Sequence, residues 1–429
     1  MRKLGGALFA FGLSALPLSA AIVTVNDSGD STNACATTGA GTCTLRDAMT
    51  YANANPFTAI HFSISGAGVH TIAPGSALPT IIAPMTIDGY TQPGASANTN
   101  GPTQGTNAVI LIELDGTNAG LNGALALSTG SETTTIRGLA INRNSDACIG
   151  ITAGSNLVIE GDFLGTDPTG MIAHACGEGI LEQGNPTNIT IGGTTPAARN
   201  LISGNGATGI DWGFNGGGGS GHLIEGNLIG TDATGAAALP GATQEGIILS
   251  GNTSDTTIGG TTPGARNVVS GNGANGIRTE VSSGTGGVVV EGNYVGTDVT
   301  GAVAVGNHSA GVTIEGAGVT IGGSVAGAGN VISGNATGIE VYISGGTVEG
   351  NLIGTDATGV LPLGNAGRGR STCSKRSRAR GPSGYALVMK AKGGVPSPPL
   401  LLSPSAGCGR GSACEHGWRP ARLRRARRR

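Results

Sequence analysis

The sequence predicts an all-β fold, a single-stranded right-handed parallel β-helix, and three observations predict it. The eleven residues EGNLIGTDATG occur identically at Glu225–Gly235 and Glu349–Gly359, with variants at Glu160–Gly170 and Glu291–Gly301, at steps of 65, 66 and 58 residues. A second unit, IGGTTPAARNLISGN at Ile191–Asn205, returns at Ile258–Asn272 and Ile321–Asn335. Self-similarity at such a period is the signature of stacked repeats. Beneath both lies a finer ladder: a Gly two positions after an apolar residue at the end of a β-branched run, as at Ile202-Ser203-Gly204 and Ile224-Glu225-Gly226.

Ladder glycines run from Gly89 to Gly350 at a mean step near 22 residues, with one miss at Glu182. A step of that size predicts one coil of a β-helix per ladder unit. About thirteen coils at roughly 4.8 Å each make a rod of roughly 60 Å. Inward Ile, Val and Leu alternate with outward Thr, Ser and Glu, the period of two that strands require. Gly and Asn then turn the corners, where positive φ is needed. Asn205, Asn227, Asn252, Asn272, Asn293, Asn335 and Asn351 follow ladder glycines and read as structural corner residues.

Composition agrees. Gly is 81 of 429 residues and aromatics are 3 %, too few large side chains to fill several thick globular cores. Apolar residues still reach 38 %, which excludes a disordered Gly/Ser chain. No strict three-residue Gly period exists, which excludes collagen. Propeller blades run longer than the fine period and are richer in aromatics.

In chain order, residues 1–21 read as a signal peptide: Arg2 and Lys3, an apolar stretch from Leu4 to Leu18, then small residues at the cleavage site. That predicts a secreted protein or one on the outer cell surface, where disulfides persist. Cys35 with Cys43, and Cys148 with Cys176, are candidate pairs, although sequence alone does not fix connectivity.

Residues 22–75 form an expected N-terminal cap, because a solenoid must cover its end coil. Within it Leu45, Ala48, Met49 and Ala52 share one helical face, with Thr44 as N-cap and Asp47 in the first turn. Residues 76–366 carry the β-helix repeats. Residues 367–429 lose the period and reverse the charge. Residues 1–367 hold 8 basic against 25 acidic side chains, and the remainder holds 16 basic against Glu415 alone. Arg, Gly, Pro, Ser and Ala dominate this tail, as in a GC-rich gene read out of frame, so the expectation is a disordered, frameshifted segment. No nucleic-acid partner is expected unless the tail is genuine.

The stretch CTLRDAM at Cys43–Met49, with TVNDSGD at Thr24–Asp30 before it and ANANP at Ala52–Pro56 after it, resembles CSLREA-type domains. The IGG…RNxISGN and GNxIGTDxTG units resemble repeats of large secreted bacterial parallel β-helix proteins of pectin-lyase-like architecture. The resemblance covers roughly residues 22–366. It implies adhesin-like surface proteins and, through the architecture, the alternative of a polysaccharide lyase or hydrolase.

The site residues follow from what repeats and what does not. Asp167, Asp232, Asp298 and Asp356 recur in every GTD unit, which predicts turn-making. They are also the secondary calcium candidates, although the calcium nonapeptide GGxGxDxUx is absent and no other cofactor is expected. Polygalacturonase-type signatures are absent too, so no catalytic residue is assigned. The least repeated stretch, Asp211-Trp212-Gly213-Phe214 before a run of glycines, supplies the binding candidates Asp211, Trp212 and Phe214, with the aromatics stacking on a sugar. His61, His70, His174, His222, His308 and His416 show no ligand spacing. The sequence thus predicts a monomeric, non-enzymatic adhesion or scaffold protein with glycans or cell surfaces as partners.

Overall fold

The computed structural model describes residues 21–32, 35, 41–239, 245–282, 286–342 and 346–366. The expected signal peptide and basic tail therefore lie outside the described residues, apart from Ala21. Three long sheets run along the chain, and the strand pairs within them are parallel throughout. Sheet A has eleven strands, from Ile22–Val25 to Thr347–Glu349; sheet B has ten, from His70–Ile72 to Leu352–Ile353; sheet C has eight, from Leu125–Leu127 to Thr337–Val341. Each strand pairs with the strand one circuit later, which defines a parallel β-helix.

Register sets the length of a circuit and corrects the expected coil. Ile224 pairs with Ile258, and Ile258 with Val290, so a coil advances 34 and then 32 residues, not about 22. The long repeat is two coils of three strands each. The ladder of step 22 marks every second strand: Ile224 lies on sheet A, Leu249 on sheet C and Val269 on sheet B. Eleven rungs of sheet A therefore replace the expected thirteen coils among the described residues.

Period-two alternation fills the interior with single-file columns. Ile60, Ile87, Ile136, Ile159, Ile191, Ile224, Ile258, Val290 and Ile321 stack in register along sheet A, each at most 1 % exposed. Burial of each such side chain contributes about 1.5–3 kcal/mol. Narrow columns of this kind need aliphatics, which explains the scarcity of aromatics. Corners are as tight as the glycines suggest. At Gly226, with φ of 76°, an added Cβ would sit 2.1 Å from the Gly193 carbonyl oxygen.

The outer face of sheet B carries a second apolar cluster. Phe163, Leu201, Leu228, Val268, Tyr294 and Val331 stack there, joined by Ala233 and Val299 from the GTD loops. These loops fold back over the sheet and bond to one another two rungs apart, Ala233 N to Gly170 O and Val299 N to Gly235 O.

At the N-terminal end, helix α1 (Leu45–Ala54) buries Leu45, Ala48, Met49 and Ala52 in the same core as Val23, Val25 and Ile60. Thr44 caps it, and Asp47 closes the capping box. Arg46 holds Asp30 through Nε and Nη2, at 2.7 and 2.9 Å, and donates to the carbonyls of Ser76 and Ala77. The Arg46 hydrogen bond keeps the Asp30 carboxyl below its ordinary range. Cys35 is bonded to Cys43 directly before the helix, and Cys148 to Cys176 between successive coils.

Candidate functional site

Most of the repeated polar residues hold the fold. Asn200, Asn227, Asn267, Asn293, Asn330 and Asn351 form one continuous ladder in which each side-chain amide donates to the next Oδ1 at 2.8–3.0 Å. Asn272, Asn307, Asn335 and Asn365 form a second. Asn252 departs from the expectation: it is exposed, because its glycine follows a sheet C strand and leads into a surface turn. The GTD aspartates are spent within their loops. Asp298 Oδ1 accepts from the amides of Ala302 and Val303, both at 3.0 Å, and its carboxylate accepts from Thr300. Asp167 and Asp356 accept from the corresponding amides and threonines, and Asp232 accepts from Thr234. Burial opposes the charge of Asp167, yet these hydrogen bonds outweigh it and keep its carboxyl below the ordinary range. Among the described residues no group of three His, Cys, Asp or Glu side chains is placed to hold a metal ion.

What does not repeat gathers on the outer face of sheet C. The strands Glu178–Glu182, Thr208–Trp212, Glu245–Leu249 and Ile277–Thr279 lie side by side in that order. Their outward positions hold Glu178, Asp211, Glu245 and Arg278, with Glu280 just past the last of these strands and Glu315 just past the next one, Ala310–Ile314. Arg278 bridges Glu280 at 2.8 Å and Glu315 at 3.0 Å, with Glu245 at 4.0 Å. Asn275 donates to Glu245 through its backbone amide and side chain. Glu178 and Asp211 sit on adjacent rungs and have no side-chain hydrogen-bond partner among the described residues. Burial raises Glu178 to about 7, helped by Asp146 and Asp211; burial and then Glu280 raise Asp211 to about 6. Beside them is a shallow surface hollow that encloses essentially no space, lined by Asn122, Gly150, Ile151, Thr152, Leu181 and Gln183. Small-molecule clefts are larger, roughly 300–1,000 Å³.

The expected aromatic platform does not form. Asp211 points outward, so its strand neighbour Trp212 points inward, where it is fully buried. Trp212 packs against the His222 ring at 4.7 Å, and the Trp212 Nε1–H donates to Gly218 O, which the glycine-rich excursion brings over it. His222 Nε2 bonds the same carbonyl, while Nδ1 accepts from Ile189 N. Burial lowers His222 to about 4, so the ring is neutral. Phe214 lies in the following turn, 42 % exposed, separate from the buried Trp212. Of the three binding candidates, Asp211 belongs to the outer face, Phe214 to its exposed surroundings and Trp212 to the core.

Two groups escaped the sequence reading. Glu182, the one break in the glycine ladder, is buried at an inward position and accepts from the amides of Gly184 and Gly213. Burial raises it to about 7. The break itself was the available signal. The second group is Arg143, which has φ of 58° and contacts Glu113 at 3.2 Å, Asp115 at 3.3 Å and His174 Nδ1 at 2.8 Å. Its members are 30 or so residues apart, one coil, and only the true coil length aligns them.

No protein-family model matches the chain, and no curated protein matches it. Among solved structures it is similar to the A-module of a mannuronan C-5 epimerase from Azotobacter vinelandii, at 15 % identity and a TM-score of 0.37, over 72 % of this chain and 93 % of that one. It is also similar to the Dettilon tailspike protein, at 15 % identity and a TM-score of 0.31, over 76 % of this chain and 68 % of that one.

Proposed function

We propose that this chain is an exported, monomeric β-helix scaffold that binds a glycan along the outer face of sheet C without turning it over. One observation carries the reading: Glu178, half-buried, and Asp211, largely buried, are carboxylates on adjacent rungs of the outer face of sheet C with no hydrogen-bond partner among the described residues. Carboxylates accept hydrogen bonds from sugar hydroxyls, and a shallow strip suits a chain-like ligand better than a small molecule. The acidic balance of the rod disfavours uronic acid polymers and favours neutral sugars. Two disulfides support an oxidising, extracellular location.

A second reading is favoured by the same pair. Glycoside hydrolysis needs two carboxyl groups, one still protonated at neutral pH, and Glu178 at about 7 meets that requirement. Titration of the full chain with neutral and uronic oligosaccharides, with product analysis, separates the two. Binding without products that is lost in Asp211→Asn supports the scaffold. Product formation lost in the same variant overturns it in favour of the hydrolase. Binding that Asp211→Asn leaves unchanged removes sheet C from both.

A further inference from the structure

Arg199 and Arg266 occupy the same position in successive two-coil repeats, but only one of them is covered. Arg199 is 6 % exposed and has no carboxylate partner. Its Nη1 donates to the carbonyls of Gln104 at 2.6 Å, Gly105 at 3.3 Å and Gly101 at 3.4 Å, all on the excursion between two early strands. The excursion is gripped at two further points. Asn98 Nδ2 donates to Pro196 O at 2.9 Å, and Thr106 N donates to Ala233 O at 2.8 Å. One guanidinium and two carbonyls thus hold a glycine-rich hairpin against the rod.

The next repeat presents the same three groups with no described residue bonded to them from a covering loop. Arg266 donates Nε to Gly292 O at 3.2 Å, as Arg199 does to Gly226 O at 3.3 Å. Its terminal nitrogens have no hydrogen-bond partner among the described residues. The carbonyls of Pro263 and Val299, equivalent to those of Pro196 and Ala233, accept no hydrogen bond from the described residues either. Tyr294 replaces Leu228 beneath the arginine, and the guanidinium carbon lies 4.1 Å from its ring centroid, a cation–π contact that holds the side chain without a covering loop. In the third repeat Gly329 stands in place of the arginine, so the arrangement does not recur there.

We propose that Arg266, with the Pro263 and Val299 carbonyls, is an open docking site for a glycine-rich hairpin of a partner polypeptide. The chain's own excursion shows the chemistry required: convergent backbone carbonyls for the guanidinium, flanked by one amide donor for each carbonyl. Glycine is required at the contact. A Cβ on Gly105 would lie 2.3 Å from Ala233 O, and the homologous place faces Val299 O.

The test uses the full chain and a peptide of residues 96–109, closed by a disulfide between added terminal cysteines and labelled for fluorescence anisotropy. Saturable binding is expected. It should weaken at least about tenfold in Arg266→Gln, the scale of one lost charged hydrogen-bond set, and also when Val replaces the glycine at position 105 of the peptide. On the parent chain, hydrogen exchange should slow at residues 261–267 and 299–303 when peptide is added, which needs no variant to fold. Absent binding, equal binding by Arg266→Gln, or protection elsewhere overturns the proposal. Protection of the same segment by sodium sulfate but not by peptide also overturns it, by making the site one for small anions.

Discussion

Asn227 donates its side-chain amide to Oδ1 of Asn267 at 2.9 Å, and its backbone amide reaches the same oxygen at 3.0 Å. Asn267 in turn donates to Ile224 O at 2.7 Å and to Asn293 at 2.9 Å. One side chain thus links three successive coils, bonding groups on the coil to either side of its own, all shielded from water. Asn267→Ala removes these bonds together and leaves several buried partners unmet. Each unmet group costs about 1–3 kcal/mol, so a loss of about 3 kcal/mol or more is expected. Asn267→Asp should fare no better, since it lacks the donor. Urea unfolding of the purified variants checks this, and hydrogen exchange should place the loosening on the coils around residue 267, since repeat proteins lose cooperativity locally.

The first rung of that ladder holds an acid. Asp162 N donates to Asn200 Oδ1 at 2.9 Å, and its Oδ1 accepts from Leu139 N at 2.8 Å, but its Oδ2 is buried without a partner. Burial, opposed in part by the Leu139 bond, raises its pKa well above the ordinary 3.8. A raised carboxyl favours the folded state while protonated, and that advantage shrinks as pH climbs above the unfolded value. Asp162→Asn supplies the missing donor. Its stability should therefore exceed the parent's by about 1–3 kcal/mol at neutral pH. The difference should shrink towards pH 3. Paired urea titrations at pH 3 and pH 7 decide it; an equal difference at both pH values would refute the titration argument.

These two ladders also show what the sequence could and could not disclose. The helical face of Leu45, Ala48, Met49 and Ala52, and the fold class, were legible because periodicity follows directly from burial. Coil length was not. In one coil the turn from sheet A to sheet B is two residues, Gly226-Asn227; in the next it runs from Gly260 to Asn267 through a 3-10 turn. Glycine stands two residues after an apolar residue at both corners, Gly226 after Ile224 and Gly260 after Ile258, and the regular step followed only every second strand, through sheets A, C and B in turn, so it recorded two strands of a three-strand circuit. The same miscount hid Asn200, Asn267 and Asn330, which follow no ladder glycine, and the Arg143 cluster. Trp212 was misplaced because its polar neighbours suggested a surface loop, whereas alternation from Asp211 dictates the opposite face.

Removal of Trp212 should cost core stability and leave any ligand affinity to Asp211 and Glu178. Trp212→Ala deletes the largest fully buried side chain and one of the two hydrogen bonds to Gly218 O, a change of about 3–5 kcal/mol. Phe214→Ala should change stability by less than about 0.5 kcal/mol, as expected for an exposed position. In a Trp418→Phe background, the emission of Trp212 should be blue-shifted and resist acrylamide quenching. A quencher-accessible tryptophan would contradict its burial.

The disulfide Cys148–Cys176 should anchor the coils around Asn205. Cys176 N donates to Asn205 Oδ1 at 3.3 Å, and Asn205 Nδ2 donates to Leu164 O at 3.2 Å, so the covalent link continues into a buried side-chain bridge between coils. The bridge spans 28 residues, close to one coil, and its Cα atoms are 5.5 Å apart. It therefore ties neighbouring coils covalently along the rod axis, in addition to their hydrogen bonds and stacked apolar side chains. Closing a loop of this length removes unfolded-state entropy equivalent to about 3–4 kcal/mol. Cys148→Ala/Cys176→Ala should lower the thermal midpoint, and amide exchange should quicken in residues 141–205 before it does in coils beyond residue 260. Breaking Cys35–Cys43, which closes only 8 residues beside the helix, should weaken the cap and leave those coils unchanged. Uniform acceleration along the whole rod by either change would show that the coils unfold as one unit and that neither link acts locally.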